Sequence, residues 1–377
     1  MKRKFKVQML FWGLLALVVA SCKSGTGDSP EPEPTGPTPL TWSKPSHFPD
    51  PVYDLSKNTM TEEGVELGRF LFYDGILSRT GNIGCGTCHQ PAAAFTHHGH
   101  DLSHGVDDRV GVRNSPSVQN LAWNTSFFWD GGVHHLDLVP PAPIENPVEM
   151  DETLSNILEK LRNTGKAGSN SKVNYPKLFQ KAYGTEEINS ERMLKAMSQF
   201  MMTLVSATSR YDYYVQGDQN ALNSQEKEGL SIFQQKCASC HTGTLFTDHS
   251  FRNNGLSPNR IDDKGRSAIT LDVTDDYKFK VPSLRNVGLT APYMHDGRFY
   301  SLEEVLDHYA NNQNSSKLSV IEVSPTLDPL LLQDPSRPGI RISTAEKLAL
   351  IAFLRTLNDE QFTKDPRHAD PGVGNAF

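Results

Sequence analysis

Cys85-Gly86-Thr87-Cys88-His89 recurs 152 positions later as Cys237-Ala238-Ser239-Cys240-His241. Cys-x-x-Cys-His is the attachment signal of a c-type haem. The two thiols add across the vinyl groups of one haem, and the next residue, the histidine, reaches the iron. With 5 Cys and 13 His in 377 residues, one accidental match is expected on the order of 0.002 times. Two matches mark a dihaem protein. Cys85, Cys88, His89, Cys237, Cys240 and His241 are its cofactor-binding residues, with His89 and His241 on the irons.

The fifth cysteine, Cys22, has another context. Lys2, Arg3, Lys4 and Lys6 precede an apolar run from Met9 to Ala20, too short to span a bilayer and built like a secretory signal. Val19-Ala20-Ser21-Cys22 resembles a bacterial lipoprotein cleavage site, so residues 1–21 are expected to be a signal and Cys22 a lipid anchor facing the periplasm. Residues 22–45, rich in Pro, Ser and Gly, are expected to form a flexible tether. Removing four positive charges and no negative ones takes the formal charge from −7 to −11. That balance points away from nucleic acid and towards a donor protein with a basic face.

The rest reads as all-α. Leu154, Ile157, Leu158 and Leu161, and Met193, Ala196, Met197, Phe200, Met201 and Leu204, follow helical spacing. Ser301 with Glu304, and Ser343 with Glu346, form capping boxes. A helix from Ser224 runs into the second haem motif. Long loops, Gln90–Asn120 and Gly243–Pro282, are expected to wrap haem. The expectation is two cytochrome-c-like haem domains facing each other, residues 46–220 and 221–362, with a tail over 363–377.

Longer signatures lie around these motifs: Arg113-Asn114-Ser115-Pro116-Ser117, Phe128-Trp129-Asp130-Gly131 and Pro143 to Met150 in the first half. The second half has Phe279 to Val287 and Leu289 to Gly297. In this order they resemble the bacterial dihaem cytochrome c peroxidases and their MauG-like relatives, over residues 60 to 357. The resemblance implies a peroxidatic N-terminal haem and a C-terminal haem that takes electrons from a small c-type cytochrome or similar donor. Hydrogen peroxide is the implied substrate.

It also implies residue roles. Trp129 would relay electrons between the haems, and Glu149 would be the distal acid–base. His104, in a histidine-rich loop (His97, His98, His100), would be a removable ligand of the first iron. Tyr309 would ligate the second, as in MauG, with Met294 its rival; Leu302, Val305, Leu306 and Tyr309 share one helix face. Asn114 with the carbonyls of Thr290 and Pro292 would hold one calcium ion, whose preference is for hard oxygen. Two positions depart from the peroxidase pattern: Val139 stands for a pocket glutamine and Gly132 for an arginine. A MauG-like oxidase acting on another protein or small molecule, and a dihaem electron carrier without peroxide chemistry, are the other readings.

Overall fold

Helices carry most of the regular structure in the computed structural model, which describes residues 36–169, 171–312 and 320–374. The signal segment and Cys22 lie outside the described residues. The helices are α1 (Glu62–Tyr73), α2 (Cys85–Cys88), α3 (Pro141–Glu145), α4 (Leu154–Asn163), α5 (Tyr175–Tyr183) and α6 (Ser190–Thr203). They continue with α7 (Arg210–Val215), α8 (Ser224–Lys236), α9 (Ser267–Thr270), α10 (Leu302–Tyr309), α11 (Thr344–Arg355) and α12 (Glu360–Lys364). The all-α expectation needs one small correction: β1 (Phe251–Arg252) and β2 (Phe279–Lys280) pair antiparallel, Phe251 opposite Lys280. Among the described residues no helix is long and apolar enough to cross a membrane.

The helical periodicity has a packing consequence in each half. Helix α6 buries Met193, Ala196, Met197, Phe200 and Met201 against α1. A Cβ on Gly68 of α1 would lie 1.9 Å from the Ala196 carbonyl oxygen. In the second half, α8 meets α11 with Gly229 in the same role, its Cβ position 2.0 Å from the Ala349 oxygen. Backbone cannot retreat as a side-chain tip can, so each helix pair requires glycine at its crossing. Gly68→Ala is expected to cost about 1–3 kcal/mol through overpacking, read as a lower urea midpoint with unchanged slope.

Two large apolar clusters follow from these pairs. One gathers residues between Phe48 and Ala207 and adds Leu245 and Phe362; the other runs from Leu222 to Leu357. Contacts hold both flanking segments where they are described. Trp42 donates its indole N–H to the Met202 carbonyl at 2.9 Å and packs on Trp123, so the last part of the expected tether is held down. In the expected tail, His368 and Ala369 give their carbonyls to Tyr73 and Arg69. Burying an indole or a phenol outweighs the cost of ordering a short polar segment.

A repeat at a constant offset of 166 positions organises the middle of each half, which the sequence reading missed. Asn120 and Asn286 both adopt left-handed φ (53° and 60°), as do Phe128 and Met294, and Gly131 and Gly297. Phe127 bridges Val133 as Tyr293 bridges Phe299. The repeats then cross: Asn114 N–H donates to the His295 carbonyl at 2.8 Å, and Lys280 N–H to the Trp129 carbonyl at 2.7 Å. Residues 114 and 280, and 129 and 295, are each other's counterparts. The signal was legible in the paired Phe-Trp-Asp-Gly and Met-His-Asp-Gly segments.

A buried ion pair pins the halves. Arg285 and Asp212 are both fully buried and bonded twice, at 2.8 and 2.9 Å, with His47 Nε2 2.8 Å from the same carboxylate. Burial alone would raise the Asp212 pKa; its bonds to Arg285 outweigh that and lower it. A lowered folded pKa gives stability that is fully present above the ordinary value of about 3.9 and is lost as pH falls through the depressed one. Asp212→Asn leaves a buried guanidinium without its counter-charge and is expected to cost about 3–5 kcal/mol, checked by denaturant titration at neutral pH.

Candidate two-haem site

One cavity of about 1260 Å³ joins the two Cys-x-x-Cys-His motifs, and all six motif residues line it. Pockets for one small molecule usually measure about 300–1,000 Å³. The long loops supply much of its wall, including Ser103 to Gly105, Gly111 to Gln119, Arg252 to Asn254 and Phe279 to Pro282. These loops are rich in Gly, Pro and Asn, residues that disfavour helix.

Local folding presents each histidine in the same way. His89 N–H donates to the Cys85 carbonyl at 2.9 Å and His241 N–H to the Cys237 carbonyl at 3.0 Å. A helical turn thus puts the imidazole after the second thiol. His89 Nδ1 meets the Phe95 carbonyl at 2.9 Å, and His241 Nδ1 the Phe246 carbonyl at 3.2 Å. Phe95 and Phe246 both hold positive φ (63° and 56°), a costly conformation for an aromatic residue. Occupying Nδ1 leaves Nε2 as the ligand atom. Burial lowers both histidine pKa values, favouring the neutral imidazole that binds iron. A redox-active dithiol needs a lowered thiol pKa, yet burial pushes Cys85 and Cys237 up to about 12 and Cys88 to about 11. The donors and cavity fit covalent haem.

Glu149 lines the cavity with the first motif. Burial raises its pKa, and Asn146 Nδ2 donates to Oε1 at 2.7 Å. Among the described residues Oε2 has no such partner. Asn146, which the sequence reading missed, sits in a tight turn: Glu149 N–H donates back to its carbonyl at 3.0 Å and Val148 N–H to its side chain at 3.1 Å. The Asn-Pro-Val-Glu spacing was the available signal. The neighbouring loop presses on the same turn, with Val106 N–H on the Glu149 carbonyl at 2.7 Å and a Cβ on Gly105 only 2.2 Å from the Val148 oxygen.

His104, one residue earlier, lines the cavity, but its side chain is 42% exposed and its Nδ1 lies 2.6 Å from Asp108. Behind it His97 is buried and stacked on His100 at 4.2 Å. Burial and the neighbouring His100 pull the His97 pKa down to about 4, so one member of this loop stays neutral.

Trp129 lines the cavity at the crossing of the repeats. Its indole donates to the Asn114 carbonyl at 2.9 Å, and its own carbonyl accepts from Lys280. Asn114 is buried, with Nδ2 donating to the His100 and Asp101 carbonyls at 3.2 and 3.0 Å. Asn114, Thr290 and Pro292 line one cavity. Among the described residues no cluster of three or more His, Cys, Asp or Glu could hold a metal, so a cation there would rest on amide and carbonyl oxygen.

On the other side Leu302, Val305, Leu306 and Tyr309 all face the cavity, as their shared helix face predicted. Burial pushes the Tyr309 hydroxyl up to about 12, and hydrogen bonding to Asn254 opposes this. Asn254 also donates to the Met294 sulfur at 3.5 Å. Both candidate ligands therefore meet one amide. Val139 and Gly132 line the first half of the cavity. A Cβ on Gly132 would come within 3.2 Å of the Asp130 carboxylate and the Ile269 side chain, so a larger residue there would have to displace a side-chain tip.

Residues 62–220 match the family model described as di-haem cytochrome c peroxidase. The chain is 35% identical to the methylamine utilization protein MauG of Methylorubrum extorquens over 83% of each chain. It is 36% identical to the cytochrome c551 peroxidase of Nitrosomonas europaea, over 78% of this chain and 80% of that one. Among solved structures, a MauG-like protein associated with microbial copper homeostasis superposes with TM-score 0.76 at 30% identity, covering 88% of this chain and 99% of the other.

Proposed function

The chain belongs to the di-haem cytochrome c peroxidase family, MauG proteins included, and from that premise we propose that it reduces hydrogen peroxide to water with electrons from a small redox protein. Peroxide would take two electrons and two protons to give two waters. The half around residues 46–220 would hold the peroxide, and the half around 221–362 would receive the electrons. A haem held in each half would supply one-electron chemistry and a place for peroxide.

The observation that carries this reading is Glu149: a carboxylate of raised pKa, steadied at one oxygen by Asn146, in the wall of the cavity and near enough to Cys85 and Cys88 for its charge to act on both. Its free oxygen takes the proton from the bound peroxide oxygen and delivers it to the departing one. Trp129 would pass electrons between the halves, and His104, its Nδ1 held by Asp108, would be the removable ligand of the first iron through Nε2. Asn114, Thr290 and Pro292 would hold a calcium ion at the junction. The protein would work in the periplasm, tethered at Cys22.

The MauG-like alternative keeps Glu149 and withdraws electrons from another protein or small molecule. The Tyr309 side chain on the cavity face of α10 favours it. Mixing the oxidised holoprotein with peroxide separates the two. Peroxidase turnover consumes a reduced c-type cytochrome at two per peroxide; the alternative consumes peroxide only when its oxidisable protein or small molecule is present. A protein whose haem spectra ignore peroxide in every oxidation state would be an electron carrier instead. If Glu149 is the base, the acid limb of the rate–pH profile should lie above the ordinary carboxylate value of about 4.3, because the base is lost as pH falls through its raised pKa. Glu149→Gln should abolish that limb.

A further inference from the structure

Six lysine and arginine side chains line the two-haem cavity, and five have carboxylate partners. Arg113 pairs with Asp130 and Asp263, Arg252 with Asp248 and Asp328, and Arg285 with Asp212. Lys236 pairs with Glu346, and Arg341 with Asp334. Lys280 is the exception: among the described residues its ammonium donates only to the Ser126 carbonyl. Burial draws its pKa down to about 8, with no anion opposing. Such a group costs stability unless a counter-charge meets it.

The surroundings are equally incomplete. The hydroxyl of Ser126, a residue only 3% exposed, has no partner among the described residues, and neither has buried His249 Nδ1. Ser126 carries the carbonyl that Lys280 reaches, and His249 is close enough that the Lys280 charge lowers its pKa. Of these groups Lys280 lines the two-haem cavity, and buried polar groups are ordinarily satisfied, so its two remaining donors point to an acceptor from outside the chain. The backbone of Lys280 is fixed by the Trp129 carbonyl at 2.7 Å and by β1. Its ammonium is therefore held at the junction of the halves.

We propose that Lys280, with Ser126 beside it, binds a propionate carboxylate of one of the two haems. The inference rests on haem occupying both motifs and not on peroxide being the substrate. A propionate supplies two anionic oxygens, enough for the two remaining Lys280 donors, while the Ser126 carbonyl holds the third. The bond is charge-assisted and therefore among the stronger kinds. It would hold that haem in place, and the positive charge of Lys280 would favour the reduced iron. In the repeat, Lys280 is the counterpart of Asn114. The junction thus carries a tethered cation on one side and an amide on the other.

The test uses holoprotein in which mass analysis has counted two covalent haems. Each haem's midpoint is then measured by spectroelectrochemistry, and the propionate bending bands by resonance Raman. Lys280→Met is expected to lower the midpoint of one haem and shift one propionate band, while Lys280→Arg keeps both near wild type. Ser126→Ala keeps the carbonyl that Lys280 reaches and should leave both near wild type. Unchanged midpoints and bands in Lys280→Met, with two haems loaded, would overturn the proposal; so would a midpoint change without a band shift. Loss of peroxide turnover in the wild type would count against the peroxidase reading alone, because neither readout depends on turnover.

Discussion

Replacing Glu149 by glutamine is expected to lower the peroxide-dependent rate by about 10²–10⁴-fold, the usual worth of a positioned general acid–base. Glutamine keeps the size, and its amide oxygen can still accept from Asn146 Nδ2, the 2.7 Å bond that orients the side chain. What it loses is the capacity to take and return a proton. Haem spectra in the oxidised and reduced states should therefore match wild type, and steady-state oxidation of a reduced cytochrome should fall. An unchanged rate with both haems loaded would remove Glu149 from the chemistry. Asn146→Ala offers a graded control: the carboxylate remains but is free to turn, so the loss should be smaller and the acid limb of the pH profile should move.

The second large effect is expected at Tyr309. If its phenolate holds the second iron, Tyr309→Phe removes a hard anionic ligand that stabilises ferric iron. The second haem's ferric spectrum should change, its midpoint should rise, and ascorbate should then reduce a haem that had resisted it. The phenol, which burial pushes up to about 12 in the protein chain, would have to exchange its proton for the ferric ion. Met294→Leu should leave that spectrum alone. The reverse pattern, an undisturbed spectrum in Tyr309→Phe and a lost sulfur-to-iron band in Met294→Leu, would assign the ligand to Met294 and remove the main support for MauG-like chemistry.

These two residues show what could be read from the chain. The haem motifs were legible because attachment is a local affair: two thiols and an imidazole within five residues, closed by one helical turn. Helical periodicity was legible for the same reason, and so was the cavity-facing side of α10, since side chains three and four apart share a face. Local spacing said nothing of Gly68 and Gly229, where two backbones separated by more than a hundred residues approach too closely for a Cβ. The repeat was written in the sequence but went unread, because its meaning is a crossing: the Asn114 amide on the His295 carbonyl and the Lys280 amide on that of Trp129. The charge of Lys280 was equally visible. Its isolation was not, because whether a cation is paired depends on which carboxylates the fold brings within reach. Sequence alone determined the cofactor, its attachment and the helical scaffold. Tertiary structure decided which groups share the cavity, through burial and close approach between segments far apart in the chain.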